Sequence, residues 1–519
     1  MTAEQLPAEL AEWPALTPSE EQLGELELLL SGAFAPLDGY LSSADLSAVT
    51  ARRQLADGAP WPVPLTLTVP ATALPESTGV AEDAAKLVLQ DPEGSPLGLL
   101  TVSERTPTDS SGTRVRLAGK VTKLRDPEYG SFRSLRKTPA EVRAAFNGNP
   151  VVAIVTSRPL TRRHIGQLKH LASQIRCTGP NGPEPVRMLL LPRVAGPAAV
   201  VRRPEALVRS VIAAASSLPD STVVVPVPLP PLANPADDIA AQVIVAAAYG
   251  ASHVLTDRSA DVRPEDFKAF GVEVVAEPEW AYDPVSEVWR PLALIESGSE
   301  RGELSDGELG AMLDAGDTVP GWAVPEPVAA ELQRARPPRS RRGVVVFMTG
   351  LSGSGKSTLA RDLKDALAER GDRTVSLLDG DMVRQMLSAG LTFSREDRDL
   401  NILRIGYVAS EVARHGGIAI CAPIAPYAAA RASVRSMAAE AGDFVLVHVS
   451  TPLAECEKRD RKGLYAKARA GVIGSFTGIS DPYEEPADAD LSVDTSVMSR
   501  HEAVAAVIGQ LTRGGWLKD

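Results

Sequence analysis

The sequence GLSGSGKST at residues 350–358 decides more about this chain than any other stretch. It matches the pattern G-x-x-x-x-G-K-[ST] in full. The apolar run at residues 344–348 is typical of a buried strand, and residues 359–363 begin a helical pattern. In a strand–loop–helix of this kind, backbone N–H groups and the positive end of the helix surround phosphate oxygens. This context argues against a chance glycine-rich turn, so we expect the loop to bind a nucleoside triphosphate.

The pattern assigns specific roles to two side chains of the loop. Lys356 is expected to reach the β- and γ-phosphates of ATP, and Ser357 is expected to bind Mg²⁺. ATP and Mg²⁺ are therefore the predicted cofactors. The other residues of the loop predicted to bind the nucleotide are Gly350, Ser352, Gly353, Ser354, Gly355 and Thr358.

Length and composition indicate a globular protein of several domains. At about 150 residues per domain, 519 residues predict about three domains. The apolar fraction of 44% and the charged fraction of 23% are those of an ordinary soluble protein. The net charge of −12 argues against nucleic acid or an anionic membrane as a partner. An anionic substrate must therefore meet a local cluster of Arg and Lys.

The cysteines and the N-terminus favour a cytoplasmic location. Cys177, Cys421 and Cys456 lie far apart and form no C-x-x-C pair, which is typical of neither a disulfide framework nor a zinc site. The first residues lack the basic start and the apolar core of a signal peptide. No apolar run reaches about 18 residues, so no membrane span is expected.

The predicted fold class is α/β, and the texture of the sequence changes along the chain. Residues 1–148 are rich in Pro and Gly with short alternating segments, which favour a mostly β unit. Residues 149–330 alternate between strand-like and helical segments, as in a parallel sheet flanked by helices. Residues 331–342 are rich in Pro and Arg and predict an exposed linker. Residues 343–519 fit one further α/β domain.

Carboxylates and cations follow the glycine-rich loop. Asp379 and Asp381 come directly after the apolar residues 375–378, where a parallel strand would end at the ligand crevice. Either carboxylate could hold Mg²⁺ or accept a proton from an attacking hydroxyl, although Asp-Gly-Asp is also an ordinary turn. Arg398 and Arg404 share a predicted helix with Asn401 between them. They could clamp a dianionic substrate or form a solvated helix face.

Residues 343–519 resemble adenylylsulfate (APS) kinase. The family transfers the γ-phosphoryl group of ATP to the 3′-hydroxyl of APS, which gives PAPS and ADP. The resemblance implies a P-loop kinase domain, a small-molecule substrate and a homo-oligomer. The motifs that carry it, in family order, lie at residues 350–358, 378–384, 393–398, 422–427, 462–471, 476–479 and 481–484.

The resemblance also implies roles for individual residues. Lys356, Asp379 and Asp381 would be catalytic, with Ser357 and Asp379 at the metal and Asp381 favoured as the base. Phe393 and Phe476 would sandwich the adenine ring of APS, because stacking holds a purine without reading charge. The complete set of residues implied to contact APS is Arg384, Phe393, Arg398, Asn401, Ile424, Lys462 and Phe476.

The kinase-like region departs from the family pattern at several positions. The family usually has Asn at the position of Met382, and Glu and Arg near Asn401, where this chain has Leu400 and Leu403. Ala425 replaces a serine, so a phosphoenzyme at that position is excluded. Ala428 and Ala430 replace a cation and an anion. These changes leave the ATP site intact and put the identity of the acceptor in doubt.

Residues 1–325 resemble ATP sulfurylase more faintly, through the segment at residues 32–41. The resemblance implies a PUA-like β-rich domain and a Rossmann-like nucleotidyltransferase-type α/β domain. The family motif Gln-x-Arg-Asn-Pro-x-His-x-x-His aligns with residues 155–164, where only Pro159 and His164 survive. Gly-Arg-Asp-His-Ala-Gly aligns with residues 257–262, where only Arg258 survives. We therefore expect a sulfurylase fold without ordinary sulfurylase chemistry, although Arg158, Arg162 and Arg163 could rebuild an anion site.

Four functional hypotheses follow from the sequence. The leading one is an APS kinase whose N-terminal region has a structural, oligomerising or regulatory role. The second is a bifunctional enzyme with an active sulfurylase site, and the third is a kinase for another nucleotide or small hydroxyl compound. The fourth, a non-catalytic nucleotide sensor, is opposed by the intact set of Lys356, Ser357, Asp379 and Asp381.

Overall fold

The computed structural model describes residues 7–73, 85–175, 178–179, 182–183, 186–196, 198–256, 264–276, 279–379, 383, 385–392 and 394–518. The chain divides into two compact units. The first unit comprises Met1–Leu309 and Val319–Ala335, and the second comprises Gly310–Thr318 and Arg336–Asp519. Within the described residues, no helix combines the length and the apolar character needed to cross a membrane.

The first unit begins with a mostly antiparallel sheet of six strands. Its core includes Phe34 and Trp61, whose rings meet edge to face with centroids 6.0 Å apart. The sheet follows the order Ala15–Leu16, Lys86–Gln90, Pro96–Pro107, Arg114–Lys123 and Gly39–Tyr40, and Leu67–Pro70 also pairs with Arg114–Lys123. The helices of this part are Ala8–Glu12, Glu20–Leu30, Ser43–Arg52, Ala71–Ala73, Arg133–Leu135 and Pro139–Phe146, of which the first, fourth and fifth are 3₁₀. The β-rich character predicted for this region is confirmed.

The first unit continues with a parallel sheet of five strands. Its central strand is buried along its whole length, as expected of a parallel sheet covered on both faces. The strand order is Val223–Val224, Arg187–Pro192, Val151–Thr156, His253–Thr256 and Glu273–Ala276. The α-helices of this part are Arg162–Gln174, Pro204–Ala215, Pro235–Ala248 and Glu326–Ala335, and the helix Asp306–Ala315 passes from the first unit into the second at Gly310. Smaller elements are the 3₁₀ helices Pro264–Phe270 and Leu292–Leu294 and the antiparallel pairs Thr178–Gly179 with Gly182–Pro183 and Trp280–Asp283 with Val288–Pro291.

The second unit is a parallel sheet with helices on both faces. Alternate residues of its central strand face opposite cores, because successive side chains of a strand point to opposite sides of the sheet. The strand order is Val375–Leu378, Ile418–Cys421, Val344–Thr349, Asp443–Val449 and Leu491–Val493. The described α-helices are Lys356–Arg370, Arg395–Arg414, Ala428–Ala441, Leu453–Arg459, Leu464–Arg469 and Arg500–Arg513. The α/β fold predicted for both regions is confirmed.

The arginine-rich segment at residues 336–342 is not the solvated stretch that its composition predicts. The Arg336 guanidinium donates to Asp314 at 2.7 Å, and Arg342 donates to both Asp314 and Asp443. Arg342 is buried, with 6% of its surface exposed. Burial alone would raise the pKa of Asp314, but hydrogen bonds from Arg336 and Arg342 lower it to about 2. The basic residues were predicted to face solvent, whereas these two neutralise carboxylates inside the second unit.

Candidate active site

The glycine-rich loop has a backbone that other residues could not adopt. Gly350, Gly353 and Gly355 all have positive φ, at 151°, 75° and 103°. A Cβ atom on Gly350 would lie 2.5 Å from the carbonyl oxygen of Val449, so the loop can approach the neighbouring strand only without a side chain. The helix begins at Lys356, directly after Gly355. The loop thus places the positive end of a helix where the sequence predicts phosphate.

Residues from the C-terminal half of the unit hold this loop in place. The Ser354 carbonyl oxygen accepts hydrogen bonds from Thr451 at 3.0 Å and from Thr495 at 2.8 Å. Arg459 donates to the Thr495 hydroxyl at 2.8 Å, and the Tyr465 hydroxyl donates to the Ser352 carbonyl oxygen at 2.8 Å. The sequence assigned no role to any of these four residues, although Tyr465 lies inside the family motif at residues 462–471. Two of them follow the strands Asp443–Val449 and Leu491–Val493, so position at the carboxyl end of a parallel strand was the available signal.

Lys356 lies folded against the loop that it follows. Its Nζ atom donates to the carbonyl oxygens of Gly350 at 2.9 Å and Leu351 at 2.8 Å. Only 6% of the residue is exposed, and this burial lowers the pKa of Lys356 to about 8 although nearby Cys456 and Asp379 favour the charged form. The side chain is therefore a buried cation held by neutral acceptors, which a phosphate oxygen could replace.

Ser357 and Asp379 form the second part of the site. The Ser357 hydroxyl donates to Oδ1 of Asp379 at 3.0 Å, and Arg361 donates to Oδ2 at 3.0 Å. Asp379 is buried at the end of the strand Val375–Leu378. Within the described residues, no cluster of three or more His, Cys, Asp and Glu could hold a metal. A hydroxyl and a carboxylate nevertheless fit Mg²⁺, which takes few protein ligands when phosphate oxygens and water supply the rest.

Arg398 belongs to a polar network with Tyr427, Thr477 and Asp481. Its Nη1 atom donates to Oδ2 of Asp481 at 2.7 Å and to the Thr477 hydroxyl at 3.2 Å. The Tyr427 hydroxyl donates to the same Oδ2 atom at 2.9 Å. Arg404, the other cation of the expected clamp, donates to the carbonyl oxygen of Leu387 at 2.8 Å. The two arginines thus have separate partners, and Asp481 neutralises Arg398.

The remaining residues predicted to contact the acceptor occupy varied settings. Asn401 is 7% exposed, and its buried Oδ1 atom has no hydrogen-bond partner among the described residues. Phe476 is half-buried and meets the Tyr465 ring edge to face, with centroids 5.0 Å apart. Lys462 is exposed, whereas Ile424 contributes its carbonyl oxygen, which accepts from Thr349 at 2.6 Å. Asp381, Arg384 and Phe393 lie outside the described residues, as does Met382.

Two of the alanines that depart from the family pattern have backbone roles. Ala425 has a positive φ of 46° and is buried, and its carbonyl oxygen accepts from Arg431 at 2.8 Å. The backbone N–H of Ala428 donates to Glu484 at 2.7 Å. These contacts do not require the side chains that the family pattern supplies.

The eroded motif of the first unit surrounds the start of the helix Arg162–Gln174. His164 is 2% exposed, and its Nδ1 atom accepts from the backbone N–H of Thr161 at 3.2 Å. Arg158 donates to Asp306 at 2.8 Å, and Arg163 donates to Glu303 at 2.7 Å. Two of the three arginines that could rebuild an anion site are thus paired with carboxylates. The third, Arg162, donates to the carbonyl oxygen of Gly321, and the aligned segment at residues 257–262 lies outside the described residues.

The fold and the site of the second unit define a P-loop phosphotransferase domain. A family profile described as adenylylsulphate kinase matches residues 342–494, and one described as a PUA-like domain matches residues 1–123. These matches confirm the predicted kinase domain at the C-terminus and the predicted PUA-like domain at the N-terminus.

Full-length relatives extend the match to the whole chain. The sulfate adenylyltransferases of Phaeosphaeria nodorum and Chaetomium globosum are each 34% identical, over 99% of this chain and 96% of their own. The solved hexameric APS kinase from Thiobacillus denitrificans is 35% identical, covers 98% of this chain and 95% of its own, and superposes with a TM-score of 0.78. The chain belongs to this family, in which a sulfate adenylyltransferase region precedes an adenylylsulfate kinase domain.

Proposed function

We propose that the second unit phosphorylates the 3′-hydroxyl of adenylylsulfate with ATP and releases PAPS and ADP. One observation carries the proposal: the buried Lys356 lies beside the hydrogen-bonded pair of Ser357 and Asp379, at the start of the helix that follows the loop. A triphosphate needs these groups in this arrangement, and the adenylylsulphate kinase profile covers all of them.

The donor side of the reaction depends on groups that the loop already orients. Backbone N–H groups of the loop would bind the β-phosphate, and Lys356 would exchange its carbonyl partners for oxygens of the β- and γ-phosphates. Ser357 and Asp379 would hold Mg²⁺, which supplies charge neutralisation when bound. Arg361 would keep the carboxylate of Asp379 oriented. Catalysis then consists of positioning and electrostatic stabilisation.

The acceptor side includes Arg398 and the predicted base Asp381. An adenylylsulfate anion would compete with Asp481 for the Arg398 guanidinium. The unpartnered Oδ1 atom of Asn401 would accept a hydrogen bond from the substrate. Phe476 would stack on the adenine ring. The 3′-hydroxyl proton would pass to Asp381, with Asp379 remaining at the metal. Arg384, Phe393, Ile424 and Lys462 complete the proposed acceptor site.

Product identification tests the kinase proposal directly. The full chain is incubated with ATP, Mg²⁺ and adenylylsulfate, and the products are identified by mass. We expect PAPS and ADP in equal amounts, and none from Lys356→Ala. ADP formed with another hydroxyl compound but not with adenylylsulfate would favour the different acceptor suggested by Ala425, Ala428 and Ala430. Nucleotide binding without any turnover would favour a sensor.

We further propose that the first unit lacks sulfate adenylyltransferase activity and serves a structural role. The carboxylate partners of Arg158 and Arg163 support this, because sulfate and ATP phosphates would have to displace them. The names of the full-length relatives favour the opposite reading, a bifunctional enzyme. Pyrophosphate release from ATP and sulfate decides between the two. Release at a rate comparable with that of the kinase reaction would contradict the proposal.

The proposed enzyme is a homo-oligomer that acts in the cytoplasm. The similar Thiobacillus denitrificans enzyme is described as hexameric, and the match to it covers nearly all of both chains. Light scattering on the full chain would give its mass in solution. A mass equal to one chain of 54.8 kDa would contradict the expected oligomer.

A further inference from the structure

The start of the helix Arg162–Gln174 contacts one carboxylate from a distant part of the chain. The Thr161 hydroxyl donates to Oε1 of Glu303, and Nε of Arg163 donates to Oε2 at 2.7 Å. The Nδ1 atom of His164 lies 3.9 Å from Oε1. Only 17% of the Glu303 side chain is exposed. A hydroxyl and a guanidinium therefore donate to a single negatively charged group beside the first residues of a helix.

A second carboxylate follows three residues later. Asp306 accepts from Arg158 at 2.8 Å, so the short segment at residues 303–306 supplies counter-charges to two cations of the eroded motif. Ser305, between them, begins the next helix by accepting from the backbone N–H of Glu308 and donating to its carboxylate. The helix start thus fixes the position of the segment that carries both carboxylates.

We propose that Glu303 is an internal anion that closes this site, with its carboxylate in the position where the helix start and Arg163 would otherwise hold a sulfate or phosphate group. A carboxylate and an oxyanion use the same donors, and both are stabilised at the positive end of a helix. The inference rests on the proposed absence of sulfurylase activity and gives it a cause. It is independent of the acceptor of the kinase.

The electrostatics of the site keep this internal anion charged. Burial alone would raise the pKa of Glu303, but Arg163, Arg158 and the hydrogen bond from Thr161 oppose it, as does the His164 ring when it is protonated, and the pKa lies below its usual value. The carboxylate is therefore ionised at neutral pH, so an external anion would have to displace a charged group already bound by the same donors.

The variant Glu303→Ala tests the proposal in the full chain, because it removes both the charge and the group that occupies the anion position. The probe is inorganic phosphate, and the readouts are calorimetric binding and the midpoint of thermal unfolding. The kinase loop can bind phosphate in both proteins, so the measured quantity is the difference between variant and wild type. We expect one additional phosphate site in the variant and a midpoint that rises by several degrees at saturating phosphate.

Matched variants assign the effect to this site. Glu300→Ala removes an exposed carboxylate that accepts a hydrogen bond from the backbone of Gly298, and this variant should bind phosphate like the wild type. Glu303→Asp keeps the charge and should also exclude the additional phosphate. Arg163→Ala in the Glu303→Ala background should lose the additional site. All these variants should retain kinase activity.

The outcomes separate an internal anion from an ordinary structural ion pair. A folded Glu303→Ala protein that gains no phosphate site would overturn the proposal, and so would a gain that persists without Arg163. A variant that folds only in phosphate would support the proposal, whereas one that folds in neither buffer would overturn it. Pyrophosphate release by the wild type is a separate result, which would contradict the proposed inactivity whatever the phosphate data show.

Discussion

Two loops of this chain each leave the central strand of a five-stranded parallel sheet and lead into a helix. The cations of the two loops have different kinds of hydrogen-bond partner. In the kinase loop, Lys356 donates to neutral carbonyl oxygens. In the second loop and the helix start that follows it, residues 156–163, Arg158 and Arg163 donate to carboxylates. An incoming anion would replace neutral acceptors at Lys356, whereas at Arg158 and Arg163 it would have to displace ionised carboxylates, so the second loop resists an incoming anion more strongly. Cations alone do not make an anion site; their existing partners decide whether it is open.

The backbones of the two loops also differ in how many N–H groups they leave available to an anion. Residues 350–355 contain three glycines, whereas residues 156–161 contain none. The backbone N–H groups of Arg158 and Thr161 already donate to the side chains of Thr156 and His164. A loop built from side-chain contacts therefore uses the N–H groups that a glycine-rich loop offers to phosphate.

The largest effect should come from removing the cation of the open loop. Lys356→Ala should lower the rate of ADP formation by at least about 10³-fold, because the charge that meets the transferred phosphoryl group is lost. Steady-state kinetics with adenylylsulfate measure it. Lys364→Ala, an exposed change on the same helix, is the matched control and should stay near the wild-type rate. Equal losses in both variants would contradict the assignment.

A smaller effect is expected from Arg398→Ala. The KM for the acceptor should rise about 10- to 100-fold, because one charged hydrogen bond to the substrate is lost, while the KM for ATP changes little. Initial rates at varied concentrations of each substrate separate the two. Arg414→Ala, at the exposed end of the same helix, serves as the control. An unchanged response to adenylylsulfate would remove Arg398 from the acceptor site.

Proton uptake on ATP binding probes the same lysine without turnover. The pKa of Lys356 is about 8, below its usual 10.5, so the free protein loses this charge as the pH rises through 8. A bound triphosphate favours the charged form and raises the pKa, so binding should take up to about one proton between roughly pH 8 and 10 and almost none below pH 7. Calorimetry in two buffers of different ionisation enthalpy measures this uptake. Uptake that persists in Lys356→Ala would have another source.

The smallest effect concerns the support of the loop. Thr495→Val removes the hydroxyl that donates to the Ser354 carbonyl oxygen and accepts from Arg459, and it leaves Thr451 as the remaining side-chain donor to that carbonyl among the described residues. The free energy of unfolding of the second unit should fall by about 1–2 kcal/mol, with a modest rise in the KM for ATP. Denaturant unfolding measures this change in stability from the transition of the second unit. The exposed change Ser496→Ala is the control. Equal stability of the two variants would show that the second threonine suffices.

The sequence predicted the parts of each site that are local. The strand, loop and helix around Lys356 could be read from one short motif, and Asp379 from its position after an apolar run. Residues that meet through tertiary folding could not: Thr495 and Ser354 are 141 positions apart, and Thr161 and Glu303 are 142 apart. In both pairs, the sequence around one residue does not indicate which distant residue it contacts.

The same reason explains the partly wrong prediction for residues 331–342. Composition alone favours a solvated segment, because arginine and proline are common in exposed linkers. The partner that binds Arg336 and Arg342 is Asp314, which lies about twenty residues earlier in a helix with no sign of this role. The limits predicted for the individual domains stay a prediction.

The path of the chain between the two units constrains how they could be produced separately. Because Gly310–Thr318 belongs to the second unit and Val319–Ala335 to the first, the chain changes unit at residues 309, 318 and 335. A kinase fragment that begins at residue 336 would lack Asp314, and Arg336 and Arg342 would lose the carboxylate that binds them. One that begins at residue 343 would lack these arginines as well. A single cut therefore cannot separate the two units, because each is built from two separate stretches of sequence.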